Sequence, residues 1–247
     1  MDIGKVLERG WKLFVKDAVP YIVGALVLGL LTIVTVGILF GPLAAGLYVM
    51  AVRRVRQNRV AEIGDVFWGL AHFWRFFGAA LLLALLIAIG FVFLIVPGLL
   101  LATMWIYVFP LMVDRDIGVF EAMAESRRLV RENDFGQHFV MLLLLAALSI
   151  AGSVAGVLGH LLTLPLTFTI VTAMYFTASR EDDVLRAAIG EAGPPAGGPA
   201  VWQPAEQPVP PAPPQPVSPA PASPENQPVP PAPPRPMPPA PPQLPEE

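Results

Sequence analysis

Charged positions along this chain are absent over long blocks. Residues 18–52, 76–113 and 135–179 contain no Asp, Glu, Lys or Arg, over 35, 38 and 45 positions. One transmembrane helix needs roughly 20 apolar residues to cross a hydrocarbon core of about 30 Å. A single 35-residue helix would be about 52 Å long, too long for one span even with strong tilt. Each block therefore predicts two spans joined by a tight turn. The expected fold is all-α and polytopic: six transmembrane helices in three hairpins, filling residues 1–185. Each block also holds a breaker, Gly41-Pro42, Pro97-Gly98 and Pro165. In lipid an unpaired backbone group is costly, so these breakers are expected at the hairpin tips. Pro165 has two further readings, as a kink within a span or in the first turn of the sixth helix. Pro110, just before Asp114, is read as the cytoplasmic exit of span four.

The segments between the blocks are polar and helically periodic. Ile3, Val6, Leu7, Gly10, Trp11 and Phe14 share one face, opposite Lys5, Glu8, Arg9, Lys12 and Lys16. Ile63, Val66, Phe67, Leu70, Trp74 and Phe77 repeat those offsets, and Val119, Met123, Ser126 and Val130 form a third stripe. Such i, i+3, i+4, i+7 spacing predicts a cytoplasmic amphipathic helix before each hairpin, lying in the headgroup region. The strings Asp2-Ile3-Gly4, Glu62-Ile63-Gly64 and Asp116-Ile117-Gly118 mark three starts and suggest a repeated unit.

Basic residues cluster outside the blocks, at Lys5 to Lys16, Arg53 to Arg59 with Arg75, Arg115 to Arg131, and Arg180 with Arg186. The positive-inside rule then puts both termini and both long loops in the cytoplasm of an inner, or plasma, membrane. Composition agrees with that picture. The chain is 55% hydrophobic and 14% charged, against about 25% charged for a soluble domain. The formal net charge of −3 gives no reason to expect a nucleic-acid partner. No cysteine is present, so disulfides and thiolate metal sites are excluded. The first apolar run exceeds a signal-peptide core and is read as an uncleaved span. From residue 190 the composition changes: 24 of the 29 prolines fall in 190–247, where Gln-Pro-Val-Pro-Pro-Ala-Pro-Pro occurs at 207–214 and again at 227–234. That segment is expected to be a disordered, polyproline-rich cytoplasmic arm, a spacer or a ligand for a protein partner.

Val96-Pro97-Gly98-Leu99, then Pro110, Asp114, Gly118, Ala122, Ser126 and Leu129 follow an ordered signature. It runs Pro-Gly, an aromatic-rich span, a proline, an acidic residue, then a helix of type Ala-x-x-x-Ser-x-x-Leu. In this the chain resembles a broad family of uncharacterised bacterial integral membrane proteins, which includes the membrane domain attached to some glycerophosphoryl diester phosphodiesterases. The resemblance covers roughly residues 1–185 and is best over 95–136. It implies a membrane domain without assigned catalytic residues. The chain has no soluble region long enough for the phosphodiesterase barrel, so that activity is not carried over.

Ionisable residues inside spans mark relays and substrate paths, and here the predicted spans hold no carboxylate, Lys or Arg. His138 and His160 are read as interfacial hydrogen-bonders, and Ser149 and Ser153 carry no hydrolase motif. No catalytic, cofactor-binding or metal residue is expected. Arg53, Arg54, Arg56 and Arg59 are candidates for anionic lipid headgroups, or simply topology determinants. Gly152 and Gly156 are candidates for close helix packing. Thr163, Thr167, Thr169 and Thr172 either line a polar groove or bond back to their own helix. The expected function is a non-enzymatic scaffold or membrane-organising protein. A channel or transporter for an uncharged or lipidic solute is the alternative.

Overall fold

The structure is a computed structural model that describes residues 2–191. Most of the proline-rich arm expected at 190–247 thus lies outside the described residues. Among those described, the chain folds as eleven α-helices and one short 3-10 helix, with no strand. The helices are α1 (Ile3–Lys16), α2 (Ala18–Val34), α3 (Phe40–Gln57), α4 (Trp68–Ala71), α5 (Phe73–Phe93), α6 (Ile95–Met104), α7 (Val108–Asp114), α8 (Val119–Glu132), α9 (Phe135–Val154), α10 (Gly156–Ala178) and α11 (Asp182–Ile189), with the 3-10 helix at Ile63–Phe67 before α4.

Four stretches are long and apolar enough to cross a membrane: Phe73–Phe93, Ile95–Asp114, Phe135–Val154 and Gly156–Ala178. A fifth combines α1 and α2, which meet at a 90° bend. Their outer flanks carry exposed Leu26, Leu30, Leu81, Leu85, Leu143, Ile150 and Val157. Water would disfavour that surface by roughly 25 cal/mol per Å², whereas lipid tolerates it. Several apolar helices and an apolar flank fit a membrane protein.

The breakers do not sit where the sequence reading put them. The first turn is at Thr35–Leu39, where Val36 and Gly37 take positive φ of 53° and 87°. The second is the single extended residue Leu94, and the third is Ala155 followed by Gly156 at φ +73°. Pro20, Pro42, Pro97 and Pro110 are each the third residue of their helix, α2, α3, α6 and α7. A helix leaves its first N–H groups without an internal partner, so a proline there sacrifices no bond. Proline thus marks where a helix has just begun, and the turn lies a few residues upstream. Pro165 departs from this pattern. It lies inside α10, so its readings as a tip and as a first turn are corrected, and the reading as a proline within a span matches its position.

Helix α3 is the hub of the packing, with every residue from 41 to 52 buried. Small residues make that possible. A Cβ on Gly46 would lie 2.0 Å from the Val66 carbonyl oxygen, and one on Gly69 would lie 1.9 Å from that of Pro42. The 3-10 helix and α4 therefore rest directly on the α3 backbone. α10 packs on α1 through its second half, where Ile170 would collide with any side chain at Gly10.

The amphipathic faces are rotated from the expected ones. In α1 the buried residues are Val6, Arg9, Gly10, Leu13 and Phe14, while Trp11 is half exposed. In α8 they are Ala122, Ser126, Leu129 and Val130, and Phe120 is left outside. The second predicted helix is broken into the 3-10 turn and α4, with Trp74 standing out at 80% exposure. Two of the acidic-Ile-Gly strings do start helices: Asp2 caps α1 by accepting from the Lys5 N–H at 3.3 Å, and Glu62 precedes the 3-10 helix. The third is offset, with Gly118 as the cap of α8.

Candidate functional site

The charged residues gather where α3 ends. Arg53, Arg54 and Arg56 follow one another on a helix, so they leave its axis in directions about 100° apart. Each reaches a different part of the fold. Arg53 pairs with Asp65 of the 3-10 helix. Arg54 lies 3.3 Å from Asp17, the residue between α1 and α2. Arg56 grips Asp114 at the end of α7 with two bonds, Nε to Oδ1 at 2.8 Å and Nη2 to Oδ2 at 2.6 Å, and also pairs with Glu181 before α11. The α3 C-terminus favours positive charge, so these arginines also suit the helix dipole.

The acidic partners are buried: Asp17, Asp65 and Asp114 are each about 5% exposed. Asp114 also accepts from the Tyr175 hydroxyl at 2.6 Å, and the Phe176 ring lies 4.8 Å from the Arg56 guanidinium. Asp17 accepts from the Ala61 N–H at 3.3 Å. A bidentate guanidinium and a phenol give Asp114 three donated hydrogen bonds, making it a clamp. A buried charge paired in this way is costly to break, because the surviving partner stays buried without its counter-charge.

A second set ties α11 to α1. Arg9, buried, donates to both oxygens of Asp182 at 3.0 Å. Lys12 reaches Glu191 and Glu8, each at 2.7 Å, and these partners hold its ammonium above the usual lysine range. Lys16 donates to the Ala188 carbonyl at 2.9 Å. The compact unit therefore runs through α11 to Glu191, past the boundary expected at 185. On the opposite side Arg75 pairs with Asp116 and donates to the Ile117 carbonyl at 2.7 Å.

Ser126 occupies a third position of interest. Residues 105–107 interrupt the α6–α7 stretch because Pro110 cannot donate to a carbonyl one turn before it. The Ser126 hydroxyl of α8 donates to the Met104 carbonyl at 2.8 Å and accepts from the Tyr107 N–H at 3.1 Å. It thereby satisfies both sides of the break. Asn133 closes the next junction, donating to the Leu129 and Ala178 carbonyls at 3.0 and 2.9 Å.

The signature residues thus divide. Pro110, Asp114, Gly118, Ala122, Ser126 and Leu129 lie on α7, α8 and their connection, and all but Gly118 are buried. Pro97 and Gly98 lie at the far end of the stretch, about 20–25 Å from Asp114 at 1.5 Å per residue. There Gly98 touches the Phe91 ring, and its backbone approaches Gly90, closing the turn. Arg59 is largely exposed and paired with Glu62 at 2.5 Å, which holds that carboxyl below its usual range. All four headgroup candidates thus pair with protein carboxylates, Arg53, Arg54 and Arg56 with buried ones and Arg59 with an exposed one. Gly152 lies against Thr163, where a Cβ would be 2.1 Å from the hydroxyl oxygen. Gly156 instead sits in the turn with open space around it. Thr167, Thr169 and Thr172 donate to carbonyls of their own helix, at 2.8, 3.0 and 2.9 Å.

Asp17, Asp65, Tyr175, Glu181 and Asp182 were missed. The four carboxylates gave only a faint signal, each matched by an arginine 12 or more positions away, and Tyr175 gave none. Among the described residues no three His, Asp or Glu side chains converge as a metal site would require. No protein-family model, no curated protein and no solved structure matches the chain.

Proposed function

We propose that this chain is a non-enzymatic, multi-pass inner-membrane scaffold. In this reading α2–α3, α5–α7 and α9–α10 are three transmembrane hairpins, their uncharged turns emerge on the outer face, and both termini are cytoplasmic. The single observation that carries it is the ion-pair hub: three arginines on the central helix each hold a different carboxylate-bearing segment, so the charged ends form one rigid cytoplasmic plate. The right angle between α1 and α2 supports an interfacial α1, because a vertical α2 leaves α1 lying in the membrane plane with Trp11 and Val15 exposed. Trp74 and Phe120 extend that aromatic rim. The likeness to the membrane domain of some glycerophosphoryl diester phosphodiesterases belongs to the same proposal and rests on the signature residues alone. The proline-rich arm would then offer a cytoplasmic partner a long tether.

Reconstitution of the full chain into liposomes tests this. The reading predicts clustering or altered vesicle shape without solute flux. Flux of an uncharged solute that disappears when Thr163, Thr167, Thr169 and Thr172 become valine would replace it with the channel reading.

A further inference from the structure

Helices α2 and α10 leave between them an open groove of about 500 Å³. Its walls are two stripes at helical spacing, Ala25, Gly29 and Ile33 on α2 facing Gly156, His160 and Leu164 on α10. Each stripe covers eight residue steps, about 12 Å. On the proposed topology the half nearer the turn spans the headgroup layer and the other half, about 6 Å, enters the hydrocarbon. The groove exists because the walls are short of side-chain atoms: a Cβ on Gly29 or on Gly156 would meet nothing within 4 Å. Pro165 follows directly after the floor at Leu164 and withholds the N–H that would bond the Leu161 carbonyl. The groove is continuous with the apolar flank through exposed Leu26, Leu30 and Val157.

Its polarity is uneven. Ser153 already donates to the Ser149 carbonyl at 2.9 Å, whereas the His160 ring has no hydrogen-bond partner among the described residues. His160 is four residues from the turn, about 6 Å along the helix. A headgroup layer is about 5–8 Å thick, so on the proposed topology this imidazole lies at the depth of phosphate and ester oxygens. Below it the lining is apolar.

We propose that this groove binds one phospholipid of the outer leaflet. One acyl chain lies between α2 and α10, and a phosphate or ester oxygen accepts from the His160 ring. A ring N–H donating to an ionised phosphate oxygen makes a charge-assisted hydrogen bond. The proposal rests on the membrane reading above.

The test uses the full chain in nanodiscs doped with phosphatidylglycerol that carries a diazirine midway along one acyl chain. After photolysis, labelled peptides are mapped by mass spectrometry. Labels should concentrate at 25–33 and 153–164. Gly29→Phe puts a ring into the groove from a position where a Cβ meets nothing within 4 Å, and should lower that labelling about tenfold, the ratio a 1.4 kcal/mol contact provides. Gly78→Phe, at an equally open position on α5, should leave it unchanged. Unaltered melting of Gly29→Phe relative to the parent chain shows that the fold survives. Uniform labelling of all flanks, labelling indifferent to Gly29→Phe, or chain-to-chain crosslinks within the groove would overturn the site. A chain released from membranes by alkaline carbonate would overturn the membrane reading itself; a retained chain with uniform labels overturns only the groove.

Discussion

Replacing Arg56 by methionine removes the guanidinium that holds Asp114 and Glu181 while keeping most of its aliphatic volume. Glu181 is partly exposed and can turn to water. The Asp114 side chain is 1% exposed and would retain only the Tyr175 hydroxyl. Removing one partner of a buried pair typically costs about 3–5 kcal/mol. For a chain of this size about 1 kcal/mol moves the melting midpoint by roughly 2–4 °C, so Arg56→Met should lower it by about 6–20 °C. Asp114→Leu strands Arg56 with Glu181 still beside it and should cost less, about 2–3 kcal/mol. The double variant leaves neither charge buried and should recover to within about 1–2 kcal/mol of the parent. Thermal unfolding of all four proteins, in one detergent at one pH, closes the cycle. Those losses give a coupling of at least about 3 kcal/mol, at the upper end of the range for residues in direct contact. Two single variants that each melt within 2 °C of the parent, or a double variant whose loss equals the sum of the singles, would refute the clamp.

Three further outcomes follow from the same contacts. Ser126→Ala leaves the Met104 carbonyl and the Tyr107 N–H unbonded at the α6–α7 break and should cost about 1–3 kcal/mol in the same melts, while Ser126→Thr should cost less. Gly46→Ala drives a methyl into the Val66 carbonyl and should abolish a sharp unfolding transition, whereas Gly78→Ala, with nothing within 4 Å, should stabilise by up to about 1 kcal/mol. Arg9→Met should detach α11 from α1, detected as faster proteolysis after Arg186 with the bundle's melting largely retained.

The sequence showed where the chain is apolar but not which apolar residues touch protein. Charge-free blocks defined the paired helices because lipid-facing and core-facing positions are alike in hydrophobicity, so whole helices lack charge. For the same reason the periodicity of α1 could not separate half-exposed Trp11 from fully buried Leu13. Prolines drew attention to the right neighbourhoods but misplaced the turns. At the third helical position a proline costs nothing, so it sits just inside a helix and not in the loop before it. Pro165 had no local signature separating it from those four, and only packing holds it within α10. The arginine cluster at 53–59 was visible as charge, yet the carboxylates held by Arg53, Arg54 and Arg56 lie 12 to 125 positions away, as in Arg53–Asp65 and Arg56–Glu181. Pairing over such separations follows from topology. The signature residues Asp114 and Ser126 were legible as a pattern, while their roles, clamp and break-filler, required Arg56, Tyr175 and the irregular backbone at 105–107.

The absence of cysteine makes the central claim directly measurable. Single cysteines are placed at Val36, Val96 and Val157 near the three turns, and at Val60 and Glu121 near the charged end, all exposed positions. A membrane-impermeant maleimide added outside intact cells should label the first three and reach the last two only after lysis. Labelling of Val60→Cys or Glu121→Cys from outside, with the turn positions silent, would contradict the three-hairpin orientation.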